Sequence, residues 1–168
     1  MANSTLRQLV AADVMQRDMV TVAPGETLRV ALALMTENHV TGLPVMDSKS
    51  RCIGLITASD ILGFEEEHAE DTADSGMIQH FNNEIGRWES VPLSAFGLEE
   101  FGDVRVEEVM TRELISVDRD TPLKAVAQKM LDANIHRVLV MDVKFRLYGI
   151  ITSFDFVRVM AESYVARA

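Results

Sequence analysis

The sequence predicts an α+β fold built from two similar halves, each with the order strand, helix, strand, strand, helix. The first observation is that GLITASD at residues 54–60 returns as GIITSFD at 149–155. The second is that residues 14–60 align with 109–155 without a gap, at an offset of 95, and 15 of the 47 pairs are identical. One copy of about 50 residues buries too little surface to be stable alone. We therefore expect two copies packed sheet to sheet with pseudo-twofold symmetry.

Each copy opens with a short β-rich run, VTV in the first and ISV in the second, followed by turn residues. A helix is predicted next, because apolar residues recur at i, i+3, i+4 and i+7 from Leu28 and from Leu123. In the second copy Pro122 suits the first helical position and Thr121 the N-cap before it. A buried strand, a polar turn and a second strand then lead to the last helix.

The last helix of each copy begins at a repeated threonine-x-x-aspartate motif, Thr57 with Asp60 and Thr152 with Asp155. A capping box explains the motif by itself, because the threonine accepts from the third amide and the acid reaches back. A ligand site is the other interpretation. A helix N-terminus attracts phosphate, and a carboxylate accepts from the two hydroxyls of a ribose. Both interpretations stay open.

The copies divide the chain into residues 1–62, an insert at 63–105 and residues 106–168. The insert holds eleven acidic and two basic residues, so it carries most of the net charge of −10. Apolar residues at roughly helical spacing predict one amphipathic helix within it. They are Met77, Ile78, Phe81, Ile85 and Trp88.

Composition argues against several classes of function. An acidic protein repels nucleic acid and anionic lipid, and no apolar run approaches the roughly 20 residues of a membrane span. We see no secretory signal, and the lone Cys52 forms no internal disulfide, so a cytoplasmic location is expected. No nucleophile has an aligned base, so we do not expect an enzyme. The run HAED at 68–71 lacks the spacing of a calcium loop, and we expect no metal site.

Both copies resemble the CBS domain, a module named after cystathionine β-synthase that also occurs in IMP dehydrogenase and chloride channels. The motifs that carry the resemblance are an opening VM, the strand GLPVMD and the ending G-x-x-T-x-x-D. The resemblance covers residues 12–62 and 107–160, about two thirds of the chain. Together the copies resemble tandem CBS domains, or a Bateman module.

This resemblance implies an adenosine-containing ligand: AMP, ADP or ATP, with S-adenosylmethionine or NAD as alternatives and Mg²⁺ as a companion of the phosphates. In the family, the motif aspartates hold ribose hydroxyls, which implies that role for Asp60 and Asp155. Thr57 and Thr152 would contact ribose or phosphate. Backbone beside the adenine is implied at four further positions: Leu55, Ile150, Val40 and Ile135.

The second copy also resembles the AMP-sensing subunit of AMP-activated protein kinase, through NIHRVLVMD at 134–142. His136 and Arg137 match a pair that holds nucleotide phosphates there, and Thr121 matches a ligand-contacting threonine. Arginine offers a bidentate fork for phosphate and histidine a pH-sensitive donor. A solvated strand entry is the alternative for His136 and Arg137.

The first copy departs from that pattern, with Thr41 and Gly42 in the His-Arg positions and Glu26 in place of Thr121. A carboxylate near a phosphate weakens binding. We therefore expect the tightest binding where the second copy's His-Arg pair meets Thr152 and Asp155. The counterpart at Thr41 is expected to bind more weakly, to stay empty or to hold only an adenosine moiety.

The function we infer from the sequence and the resemblance is a regulatory module that binds an adenosine-containing ligand in the cleft between the two CBS repeats and signals to a partner protein by changing shape. The resemblance implies a homodimer. The alternative is a ligand-free dimerising adaptor that docks on a partner through the acidic insert, most of whose charge serves no visible ligand.

Overall fold

A computed structural model describes residues 9–68, 77–82, 87–92 and 103–165. The elements, in chain order, are α1 (Ala11–Val14), α2 (Leu28–Glu37), β1 (Gly42–Met46), β2 (Cys52–Thr57), α3 (Ala58–His68), β3 (Met77–Asn82), β4 (Arg87–Pro92), α4 (Val106–Val109), β5 (Ser116–Val117), α5 (Leu123–Asp132), β6 (Arg137–Met141), β7 (Leu147–Thr152) and α6 (Ser153–Val165). The α+β class and the tandem repeat are therefore confirmed. None of these helices has the length and apolar character that crossing a bilayer requires.

The chain divides into two compact units that do not follow chain order. The repeat-1 unit is Val20–Glu113, and the repeat-2 unit combines Met1–Met19 with Leu114–Ala168. The segment that opens each repeat thus belongs to the unit that contains the rest of the other repeat. We call residues 10–17 lead segment 1 and residues 105–112 lead segment 2.

In the repeat-1 unit, β1 and β2 form an antiparallel pair in which Gly42 faces Thr57. The predicted strand VTV is reduced to one parallel bridge, from Val22 to Val45. Helix α2 buries its apolar stripe in the core of this unit, as its periodicity predicts. Met110 of lead segment 2 is part of the same core.

In the repeat-2 unit, β5, β6 and β7 form one sheet. Strand β5 runs parallel to β6, and β6 runs antiparallel to β7 with Arg137 opposite Thr152. Helix α5 packs its apolar stripe on the core of this unit, which also contains Met15 of lead segment 1.

Each lead segment adds backbone hydrogen bonds to the edge of the second strand of a hairpin. Gln16 and Ile150 exchange both backbone bonds, at 2.9 and 3.1 Å, and Thr111 and Leu55 do the same at 2.9 Å each. Residues 16 and 111 are equivalent in the repeat. The exchange is therefore symmetric, and neither hairpin leaves this part of its edge unpaired.

The lead segments also explain why glycine and methionine recur in the two copies. A Cβ on Gly149 would lie 2.7 Å from the Gln16 carbonyl oxygen and 2.8 Å from the Met15 Cγ. A Cβ on Gly54 would overlap the Met110 side chain. The methionine of each VM motif thus packs against the glycine of the opposite repeat, where the absent side chain makes room.

The predicted helix in the insert is wrong. The structure places Met77–Asn82 and Arg87–Pro92 in an antiparallel hairpin with Phe81 opposite Trp88. Two β-rich runs separated by four residues that include Gly86 are a hairpin signal, and it outweighs an approximate helical spacing. The acidic run that begins at Glu65 continues α3 as far as His68, and residues 69–76, 83–86 and 93–102 lie outside the described part of the chain.

The predicted start of α5 is one residue too early. The helix begins at Leu123, and Pro122 rather than Thr121 is the N-cap, with no side-chain capping bond. Because proline fixes only its own φ, it fits the N-cap as well as the first turn here. In the first repeat the N-cap Thr27 accepts from the Val30 amide at 3.3 Å.

The two hairpin turns have the same hydrogen-bond pattern around an aspartate. Asp47 Oδ1 accepts from the amides of Lys49 and Arg51, both at 2.9 Å. Asp142 Oδ1 accepts from the equivalent amides of Lys144 and Arg146, at 2.8 and 3.0 Å. These backbone bonds, the one from the arginine first, hold the pKa of each aspartate below its ordinary value.

Candidate functional site

The threonine-aspartate motif forms a complete capping box in the repeat-1 unit. Asp60 Oδ2 accepts from the Thr57 amide at 2.8 Å and from its hydroxyl at 2.6 Å. The Asp60 amide donates to Thr57 Oγ1 at 3.2 Å. The capping interpretation is therefore correct for this motif, and one carboxylate oxygen is committed to it.

The repeat-2 motif commits its aspartate in the same way and buries it more deeply. Asp155 Oδ2 accepts from the Thr152 amide and hydroxyl, both at 2.8 Å. The residue is 1% exposed, so its carboxylate is buried. A buried carboxylate needs hydrogen-bond partners for its remaining lone pairs, because burial without them is costly.

The second oxygen of each aspartate faces a lead segment. Gln16 Nε2 donates to Asp155 Oδ1 at 2.8 Å, and Arg158 Nη1 lies 3.4 Å from the same oxygen. Thr111 Oγ1 lies 3.4 Å from Asp60 Oδ1, at the long limit of a hydrogen bond. The two carboxylates are therefore held by different residues at equivalent positions.

The helix N-termini that follow the motifs are partly occupied by the chain itself. The Ala58 amide donates to the Thr41 carbonyl at 3.2 Å, and the Ser153 amide donates to the His136 carbonyl at 3.0 Å. The first amide of α3 and of α6 is thus used within each unit. A phosphate at either helix would rely on later amides and on side chains.

The structure brings together most of the predicted residues of the second repeat. Arg137 begins β6 opposite Thr152 at the end of β7, and the exposed His136 precedes it. Thr121 does not join them within this unit. It follows β5, whose Val117 pairs with Val140, so it lies beyond the opposite end of β6.

The backbone positions predicted to flank an adenine are largely hydrogen-bonded already. Both polar groups of Leu55 and of Ile150 are paired with the lead segments. The amides of Val40 and Ile135 donate to the last turns of α2 and α5, at 2.9 and 3.0 Å. These residues can offer an adenine their side chains, whereas the main-chain groups named here are occupied.

The lone cysteine and the residue types that can bind metal ions are the other candidates for chemistry. Cys52 is fully buried, and burial raises the pKa of its thiol, which suits packing rather than nucleophilic attack. Within the described residues, no three His, Cys, Asp or Glu side chains lie close enough together to hold a metal ion. His80 stands in β3, and HAED at 68–71 lies mostly outside the described ranges.

Sequence reasoning missed three residues that contact the motif aspartates: Gln16, Thr111 and Arg158. The first two lie at equivalent positions in the repeat, directly after each VM. The alignment shows that these two positions are equivalent. It does not show their partners, because Asp155 lies 139 residues from Gln16 in the sequence. No local pattern reports such a contact.

The chain belongs to the CBS domain family, whose model matches residues 10–67 and 106–162. Protein MJ1225 of Methanocaldococcus jannaschii is 29% identical over 90% of this chain and 47% of its own length. Its crystal structure, described as a proposed archaeal homologue of g-AMPK, has a TM-score of 0.69 at 28% identity, covering 94% of this chain and 51% of that one.

A second relative is the chloroplastic CBS domain-containing protein CBSX2 of Arabidopsis thaliana, 28% identical over 82% of this chain and 56% of that protein. A crystal structure of CBSX2 in complex with AMP has a TM-score of 0.66 at 25% identity, covering 94% of this chain and 98% of that one. The present chain thus spans about half the length of these curated relatives.

Proposed function

We propose that this chain is a regulatory module, not an enzyme, that binds an adenosine-containing ligand through its two threonine-aspartate motifs. The observation that carries the proposal is the placement of Asp60 and Asp155 at equivalent strand-to-helix junctions. Each has one oxygen turned away from its own capping box. The complex of CBSX2 with AMP supports AMP, ADP or ATP as the ligand.

The ligand's parts match the residues at these junctions. Ribose hydroxyls donate to Asp60 or Asp155, with Thr57 or Thr152 beside them. Arg137, opposite Thr152 at the end of the sheet, gives a phosphate its fork of donors, and His136 adds a second donor. S-adenosylmethionine and NAD share the adenosine part and are the alternative ligands.

Signalling follows from a difference in affinity between two shapes of the protein. A ligand shifts a conformational equilibrium only as far as it binds one state more tightly than the other. We propose that a partner protein reads the shifted shape. We further propose a homodimer, since α6 exposes an apolar row that a second copy can cover. The row consists of Phe154, Val157 and Met160.

Titration calorimetry of the full chain with AMP, ADP, ATP and S-adenosylmethionine, with and without Mg²⁺, tests the proposal. We expect binding of one phosphate-bearing nucleotide, with affinity reduced in Asp60→Asn and Asp155→Asn because an amide group offers a single acceptor oxygen. 2′-Deoxy-AMP should bind wild type more weakly than AMP does, and the Asp60→Asn/Asp155→Asn double variant should discriminate little between the two ligands. Arg137→Ala should reduce the affinity for AMP more than the affinity for adenosine, which has no phosphate.

No heat with any of these ligands, from a protein whose circular dichroism shows it to be folded, contradicts the proposal. That outcome favours the ligand-free adaptor that docks through the acidic insert at 63–105. Binding that is unchanged in both Asn variants also contradicts it, because it places the ligand away from the motif aspartates.

A further inference from the structure

Two equivalent carboxylates are covered by two different side chains of the lead segments. In the repeat-2 unit the cover is the Gln16 amide, at 2.8 Å from Asp155 Oδ1. In the repeat-1 unit it is the Thr111 hydroxyl, at 3.4 Å from Asp60 Oδ1. A distance of 2.8 Å is a strong charge-assisted hydrogen bond, whereas 3.4 Å is marginal.

The acceptor capacity of Asp155 is used by the chain itself. A carboxylate has about four lone-pair sites. Two on Oδ2 accept from Thr152, and the two on Oδ1 face Gln16 and Arg158. With 1% of its surface exposed, Asp155 has no open face for a further donor. A ribose hydroxyl can therefore reach Oδ1 only by displacing one of these two side chains.

Asp60 is in a more open arrangement. Its Oδ2 is committed to Thr57 in the same way, but its Oδ1 is approached by Thr111 alone among the hydrogen bonds described for this oxygen. The position equivalent to Arg158 is Gly63, and a Cβ there would meet nothing within 4 Å. Asp60 is also half-buried rather than buried. A ribose can add a bond here without displacing a strong one.

We propose that Gln16 is an affinity-determining residue that competes with the ligand's ribose for Asp155. This inference rests on the proposed function and identifies a residue that lowers the affinity for the ligand at one of the two motifs. The Gln16 amide and a ribose hydroxyl are both donors to the same acceptor oxygen, so binding of one excludes the other. Thr111 imposes a much weaker competition at Asp60.

The local structure allows the Gln16 side chain to leave without unfolding the segment that carries it. Its backbone is fixed by the paired bonds to Ile150, and Met15 beside it is buried in the core. The Gln16 side chain itself is exposed and has three rotatable bonds. Release therefore requires a rotamer change at the surface, and Arg158, which is 49% exposed on its side chain, can stay.

The test exchanges the two covers, using AMP as the probe. Gln16→Thr is made in an Asp60→Asn background, where only the Asp155 motif remains intact, and Thr111→Gln in an Asp155→Asn background. Calorimetry should show AMP binding tightened about tenfold by Gln16→Thr, the effect of losing about one competing hydrogen bond to a charged group. Thr111→Gln should weaken binding.

A second readout follows the amide directly in the wild-type chain. The side-chain amide resonance of Gln16, assigned by its loss in Gln16→Thr, should shift when AMP saturates the protein and show faster hydrogen exchange. A residue that merely stabilises the fold would keep both unchanged. This readout decides the question even where an exchanged variant is too unstable to titrate.

The outcomes separate the two claims. If AMP binding falls in both Asn variants but neither the cover exchange nor the Gln16 amide responds, the competition is refuted and the proposed function stands. If AMP binds no version of the protein, including Gln16→Thr, both are refuted. A tenfold tightening together with release of the amide establishes Gln16 as the competitor.

Discussion

Asp60 and Asp155 occupy equivalent positions in two repeats, yet the units that contain them treat the two carboxylates differently. In the repeat-2 unit a glutamine and an arginine close over a buried Asp155. In the repeat-1 unit a threonine at 3.4 Å and a glycine leave Asp60 half-buried. The same capping box can thus serve stability in one copy and remain accessible in the other. The difference lies in the lead segments and the following helix, not in the motif.

The largest expected difference between the units is in the free energy of unfolding. Asp155→Ala removes a buried acceptor that serves the amide and hydroxyl of Thr152 and the Gln16 amide, and should cost about 3 kcal/mol. Asp60→Ala removes a partly exposed capping box and should cost about 1 kcal/mol. Urea unfolding monitored by circular dichroism measures both. Equal costs would contradict the unequal burial of the two carboxylates.

The close packing of the lead segments gives the next largest difference. Gly149→Ala places a Cβ against the Gln16 backbone oxygen, which cannot move without the strand edge, and should cost about 2 kcal/mol. The three atoms nearest to a Cβ on Gly54 all belong to the Met110 side chain, which is flexible, so Gly54→Ala should cost less, about 1 kcal/mol. Thermal unfolding compares the pair. A larger loss in Gly54→Ala would show that Met110 is the more rigid neighbour.

Substitutions in the hairpin turns should change the free energy of unfolding by less, and they should stabilise the chain. Phe145 and Ser50 occupy equivalent left-handed positions, with φ of 63° and 58°. A bulky side chain is disfavoured there and asparagine is tolerated, so Phe145→Asn should stabilise the chain by about 1 kcal/mol. Ser50→Asn should stabilise it less. A destabilised Phe145→Asn would mean that the half-exposed ring makes contacts worth more than the backbone strain.

The smallest difference concerns the aspartates of those turns. The pKa of both is lowered, so each stabilises the fold fully above its pKa in the unfolded chain, and that contribution is lost as the pH falls through the lower folded pKa. Tyr148 donates to Asp142 at 3.0 Å, and Asp47 pairs instead with Arg51. Tyr148→Phe should raise the pKa of Asp142 slightly and leave that of Asp47 unchanged, as a carboxyl NMR titration will show. If the pKa of Asp142 is the same in Tyr148→Phe, the Tyr148 hydroxyl does not help to lower it.

The repeat made most of the fold predictable, because an offset that aligns 47 residues fixes the same elements twice. It could not predict the exchange of lead segments. Val14, Met15 and their counterparts are alike in both copies, so the sequence pattern is the same whether a segment packs on its own repeat or on the other. Periodicity describes local structure, and the choice of partner is a tertiary property.

The candidate site was predicted in part for the same reason. The motif aspartates and the strand entry at Arg137 were visible as repeated or matched residues. Gln16 and Arg158 were not, because neither has the same residue at the equivalent position: Thr111 and Gly63 stand there. Reasoning from the repeat finds what the copies share. The alignment also shows where the copies differ, as at Glu26 and Thr121, but it does not show which differing residues contact the aspartates.

The most direct test of the account is a titration with AMP in which the carboxyl carbons of Asp60 and Asp155 are followed by NMR. We predict that both signals shift as AMP binds, and that the Asp155 signal moves in step with the Gln16 side-chain amide. Carboxyl signals that stay fixed while AMP binds elsewhere would contradict the assignment of the ribose to these two aspartates.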